Sequence, residues 1–76
     1  MIFSLKDFRE SKLGQSRKAV AEKLNVTEKT LAKWENEEVL PGTNGIKAIL
    51  REYGLSIENV RVVFRDNGTG YLQLVI

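Results

Sequence analysis

The chain has 76 residues, 12 Lys or Arg against 10 Asp or Glu, a formal charge of +2, and neither Cys nor His. A chain this short forms one small domain. It has no disulfide to staple it and no imidazole for zinc or for base catalysis at neutral pH, which leaves self-association to reinforce a marginal core.

Lys6 and Asp7 interrupt the start too early for a signal peptide, and no apolar run approaches the ~20 residues that span a bilayer. The expected setting is cytoplasmic, with no membrane partner. Ser4 can cap a first helix, with Asp7 in its first turn and Leu5 and Phe8 on one face. Gly14 ends it. Ser16 can cap a second helix, whose apolar stripe is Val20, Ala21 and Leu24. Asn25 tolerates the left-handed backbone of a tight turn. Thr27 then caps a third helix, with Leu31 and Trp34 inward and Glu28, Lys29, Ala32, Lys33 and Asn36 on the opposite face.

Residues 37–44 read as a loop around Pro41-Gly42. Ile46, Ile49, Leu50 and Tyr53 repeat at helical spacing, and Gly54 ends that fourth helix. Its start stays open, because Asn44-Gly45 equally makes a turn. Ser56 can cap one short turn, 57–60. The period then changes to that of strands over 60–65 and 71–76, with Asn67-Gly68 as a hairpin turn. A two-residue turn there groups Val60, Val62 and Phe64 with Tyr71 and Val75. It groups Val63 with Leu72, Leu74 and Ile76 on the other face.

The charge is unevenly placed. Residues 1–36 carry eight Lys or Arg and five acids, or +3, while residues 37–76 carry four and five, or −1. A basic end suits phosphates. Two short helices joined by a tight turn make a helix-turn-helix, here over 17–36. Ala21 is small where the helices cross, and Val26, Leu31 and Trp34 lock the second helix on the first.

These residues resemble the Cro/phage-repressor type of helix-turn-helix regulator. The match runs from Arg17-Lys18-Ala19-Val20-Ala21 through Leu24-Asn25-Val26-Thr27 to Leu31-Ala32-Lys33-Trp34-Glu35-Asn36 and Pro41, without gaps. It includes Leu5, Phe8 and Arg9 upstream and reaches about residue 58. The resemblance implies a mainly α fold in one domain, 1–76: a five-helix lambda-repressor-like bundle over 4–59, followed by a C-terminal antiparallel β-hairpin over 60–76. It implies that the third helix enters the DNA major groove, with Glu28, Lys29 and Lys33 at base edges and Arg17, Thr27 and Asn36 at phosphates. Those residue types suit the roles: Lys donates to guanine, Glu accepts from the cytosine amino group, and Arg grips phosphate. It also implies that Arg9 pairs with Glu35 across the first and third helices. Three positions depart from the family: Arg17 stands for a usual Gln, Gln15 for an apolar residue, and Glu37 for a Gly, so that Asn36 has to end the helix.

The implied activity is that of a prokaryotic or phage-type repressor. As a homodimer it would set two recognition helices about 34 Å apart on a palindromic double-stranded operator. No cofactor or metal is expected. The hairpin is the expected dimerisation element, through Val63, Leu72, Leu74 and Ile76, since an open apolar edge invites pairing. The plainer reading packs it wholly on its own domain. An outward Glu28, Lys29 and Lys33 is likewise, out of context, an ordinary solvated face. The competing function is an antitoxin-like or anti-repressor module that binds a protein with the same fold. An enzyme is not expected, without His, Cys, a phosphate-cradling Gly loop or a paired-acid motif.

Overall fold

Hydroxyl caps begin the first three helices of the computed structural model, which describes all 76 residues. Ser4 Oγ accepts the Asp7 N–H at 3.1 Å and starts α1, Leu5–Phe8. The chain continues at the wider π-helical pitch over Arg9–Leu13, where Ser11 Oγ donates to the Asp7 carbonyl, until Gly14 reverses it at φ 61°. Ser16 caps α2, Arg17–Leu24, through the Ala19 N–H at 3.1 Å. Thr27 caps α3, Glu28–Glu35, through the Thr30 N–H at 3.0 Å.

The last long helix, α4, runs Thr43–Tyr53. Asn44-Gly45 is therefore its first turn, not a bend before it. Gly45 is required there by close approach. A Cβ on it would lie 2.8 Å from Cη2 of Trp34 and 3.2 Å from Cβ of Pro41. The indole packs on bare helix backbone.

Three strands complete the fold: β1, Ile2–Ser4; β2, Val60–Phe64; and β3, Gly70–Val75. They form one antiparallel sheet in the order β1-β3-β2. The expected five-helix bundle does not form; four helices pack with a three-stranded sheet instead. Residues 57–59 make a single 3₁₀ turn. None of its residues is buried, so it has no apolar face to dock and too few residues to nucleate a helix. β1 went unforeseen because three residues are too short to show a strand period. It exists through tertiary pairing, with Phe3 opposite Leu74 and Ser4 opposite Gln73.

The hairpin register corrects the expected faces. Val60 pairs with Leu74, Val62 with Leu72, and Phe64 with Gly70. The loop has three residues, Asp66-Asn67-Gly68, closed by Arg65 N–H to Thr69 O at 2.7 Å and Gly68 N–H to Arg65 O at 3.0 Å, with Gly68 at φ 85°. A type I turn ending in a left-handed Gly matches strand twist as well as a two-residue turn does. One residue of slip moves every side chain to the other face. Leu72 and Leu74 therefore share their face with Val62 and Val60 rather than with Val63; they lie inward, 2% and 0% exposed, and join Leu5, Phe8, Val20, Leu24, Leu31 and Ile49 in the core.

Candidate nucleic-acid interface

Ala21 is buried on α2, the helix that packs against α3. The turn between them is held by Asn25 at φ 59°, with Asn25 N–H to Glu22 O at 3.1 Å and Val26 N–H to Ala21 O at 3.0 Å. Leu31 and Trp34 seat α3 on the core. That seating leaves Glu28, Lys29, Lys33 and Asn36 exposed, and none of their side chains has a hydrogen-bond or ion-pair partner in the chain. Their donors and acceptors are free for an external surface.

Thr27 is exposed, but its hydroxyl is occupied. It accepts the Thr30 N–H and donates to Thr30 Oγ1 at 2.9 Å. With its proton given to Thr30, the hydroxyl keeps only acceptor capacity, which a phosphate oxygen cannot use. Exposed Lys18 adjoins Arg17 at the start of α2, while Lys23 donates to Gln15 Oε1 at 2.8 Å. Glu22, Asn25, Val26, Thr27 and Thr30 line a shallow open depression between the helices, with no nucleophile–base pair in it.

Asn36 ends α3, as expected, and caps it at φ −82°; the left-handed residue that follows is Glu37, at φ 63°, despite its Cβ. Arg65 explains its side chain: Nη2 pairs with Glu37 Oε1 at 2.7 Å, and Nη1 donates to the Glu37 carbonyl at 3.0 Å.

Beneath α3 lies a buried charge cluster. Glu35, with a side chain 0% exposed, accepts Arg9 Nε at 2.6 Å and Arg9 Nη2 at 3.1 Å. Arg9 Nη1 donates to the Gln15 carbonyl at 2.9 Å. The bond to Glu35 raises the Arg9 pKa above its ordinary value, against the opposing pull of burial. The expected Arg9–Glu35 pair is there. Its third member was not foreseen: Arg17 Nε donates to Glu35 Oε1 at 3.1 Å. Only the tertiary fold brings positions 17 and 35 together, so the sequence held no signal for it beyond a cation where an amide was usual. Tyr53 sits beside this cluster. Burial, with Glu35 adding, pushes its hydroxyl up to about 12.

No helix is long and apolar enough to cross a membrane. A family model described as helix-turn-helix matches residues 5–60. No curated protein and no solved structure gave a match.

Proposed function

The chain belongs to the Cro/C1-type helix-turn-helix family of DNA-binding transcription regulators, and from that premise we propose that it is a repressor that binds a palindromic operator as a homodimer. The observation that carries this reading is the outer face of α3, where Glu28, Lys29 and Lys33 are exposed and unpartnered on a helix whose inner face is locked to the core. Lys29 and Lys33 meet base edges, with Glu28 accepting from a cytosine amino group. Asn36 and Arg17 meet phosphates. Thr27 joins them through its backbone N–H at the start of α3, since its hydroxyl is already bonded to Thr30.

Dimerisation through the hairpin is supported by its open edge. β2 pairs on one side only, and Phe64 on it is 72% exposed, next to the partly exposed Val62. Val63 and Ile76 also remain at or near the surface. Leu72 and Leu74 are enclosed in their own core and are left out of the interface. Two-fold pairing of β2 with its copy would satisfy the unpaired backbone groups and cover Phe64.

The test is selection of duplexes from a random pool, repeated with Lys29→Ala and Lys33→Ala. Each substitution should relax preference at defined base pairs and cost about 1–3 kcal/mol on the wild-type site. If both variants select the wild-type site with wild-type affinity, the groove assignment is wrong, and a protein-binding module becomes the better reading.

A further inference from the structure

Glu35 carries one more cation than it needs. Arg9 alone reaches both of its oxygens, Nε on Oε2 and Nη2 on Oε1. Arg9 also lies 4.0 Å from Glu10, an exposed acid. Arg17 then adds a third N–H to the same carboxylate, through Nε. A single buried anion is thus bonded to two guanidiniums, and the charge of Arg17 is not consumed in neutralising it.

The remaining donors of Arg17 are the informative ones. Its two Nη groups bond nothing in the chain, and its side chain is 31% exposed. Arg17 is the first residue of α2, an eight-residue helix. The first backbone N–H groups of a helix have no intrahelical acceptor, and here Ser16 satisfies only that of Ala19. The open Nη edge of a guanidinium fixed at Nε matches two phosphate oxygens.

We propose that Glu35 is a positioning residue for DNA: by holding Arg17 at Nε, it sets the Nη pair as a rigid fork for one backbone phosphate at the start of α2. This rests on the DNA-binding reading above. The phosphate meets the edge of Arg17 that Glu35 leaves open, and the ordering of a long side chain is completed before binding, which strengthens the contact. A lysine in this place would keep the charge but not the fork. Its three donors share one nitrogen, so the atom that Glu35 holds is also the atom that meets the phosphate, and no parallel pair of N–H groups is presented.

The experiment measures affinity against salt concentration for the wild type, Arg17→Lys and Arg17→Ala, on a duplex that the wild type selects from a random-sequence pool. Thermal unfolding of each free protein confirms that it is folded. Arg17→Ala should bind about tenfold more weakly, with a log–log salt slope shallower by about 0.9, the signature of one lost phosphate contact. Arg17→Lys should keep the slope and still lose severalfold in affinity. In a Glu35→Met background, which removes the acceptor and is assayed where that protein is folded, the difference between Arg17 and Arg17→Lys should shrink. Wild-type affinity in Arg17→Lys, or an undiminished difference in the Glu35→Met background, overturns the positioning role. A wild type that selects no duplex overturns the DNA-binding reading itself, a separate outcome.

Discussion

Tyr53 stacks on Phe8, with ring centroids 5.5 Å apart and planes 7° from parallel, while Phe3 meets Phe8 edge-on. That packing draws the whole Tyr53 side chain inside, and its hydroxyl is buried without a hydrogen-bond partner. Helical spacing marks Tyr53 as core but leads one to expect its hydroxyl at the surface; the depth of a side chain depends on its tertiary neighbours, which spacing does not encode. Two effects follow for stability. A buried unpaired hydroxyl costs about 1 kcal/mol or more, so Tyr53→Phe should stabilise the fold by about 1 kcal/mol near neutral pH. The hydroxyl pKa is raised from 10.0 to about 12. Below pH 10 folded and unfolded chains both keep the proton, and stability is unaffected. Between 10 and 12 the unfolded chain loses it while the folded chain does not, so stability falls as pH rises, by up to about 3 kcal/mol. Chemical denaturation of the wild type and Tyr53→Phe from pH 7 to 11 separates this from lysine titration, which both share. The variant should lack the alkaline decline due to Tyr53. Equal decline in both, or a less stable variant at neutral pH, would contradict the burial.

At the scale of elements, the helices were largely readable because their signals are local. Ser4, Ser16 and Thr27 each cap the helix that follows, and Asn25 makes the left-handed turn. The sheet was not, because its determinants are distant in sequence. Asn67-Gly68 marks a hairpin but does not distinguish a two-residue from a three-residue loop, since both place Gly at a left-handed position. The choice is made by the core, which draws in Leu72 and Leu74 from β3. Gly45 shows the same limit inside a helix. Its neighbour Asn44 suggests a turn, yet the true constraint is the Trp34 ring against its Cα. Opposing effects meet in Gly45→Ala. Helix propensity favours Ala by about 1 kcal/mol. Against it, the new Cβ would sit 2.8 Å from the indole, which is itself buried and flanked by Pro41. Overpacking of that kind costs about 1–3 kcal/mol. The steric term wins, so Gly45→Ala should lower the unfolding midpoint, with a change in the near-ultraviolet signal of Trp34. A raised midpoint would mean the ring has room to yield.

At the scale of the whole molecule, the candidate contact residues and the hairpin are linked by one side chain. Arg65 leaves the end of β2, lies over the Tyr71 ring at 4.5 Å, and bonds both the carboxylate and the carbonyl of Glu37, two residues beyond α3. The pair is partly exposed, with side chains 37% and 34% accessible, so its contribution to stability is about 1 kcal/mol or less. Its geometric effect is larger than its energy. If two copies join through β2, the angle between β2 and α3 sets the separation of the two recognition helices, and Arg65 braces that angle. An operator with one base pair added at its centre shifts one half-site by about 3.4 Å and rotates it by about a tenth of a turn. A braced dimer rejects such a site; a loosened one accommodates it. Arg65→Ala should therefore leave the dimer intact by light scattering, whereas Phe64→Asp should yield monomers. It should also leave the preferred bases unchanged, because Lys29 and Lys33 are untouched. What should fall is the ratio of affinities for the correctly spaced operator over the operators one base pair longer or shorter. The same ratio in Arg65→Ala and wild type would show that the packing of β3 on the helices holds the angle without it.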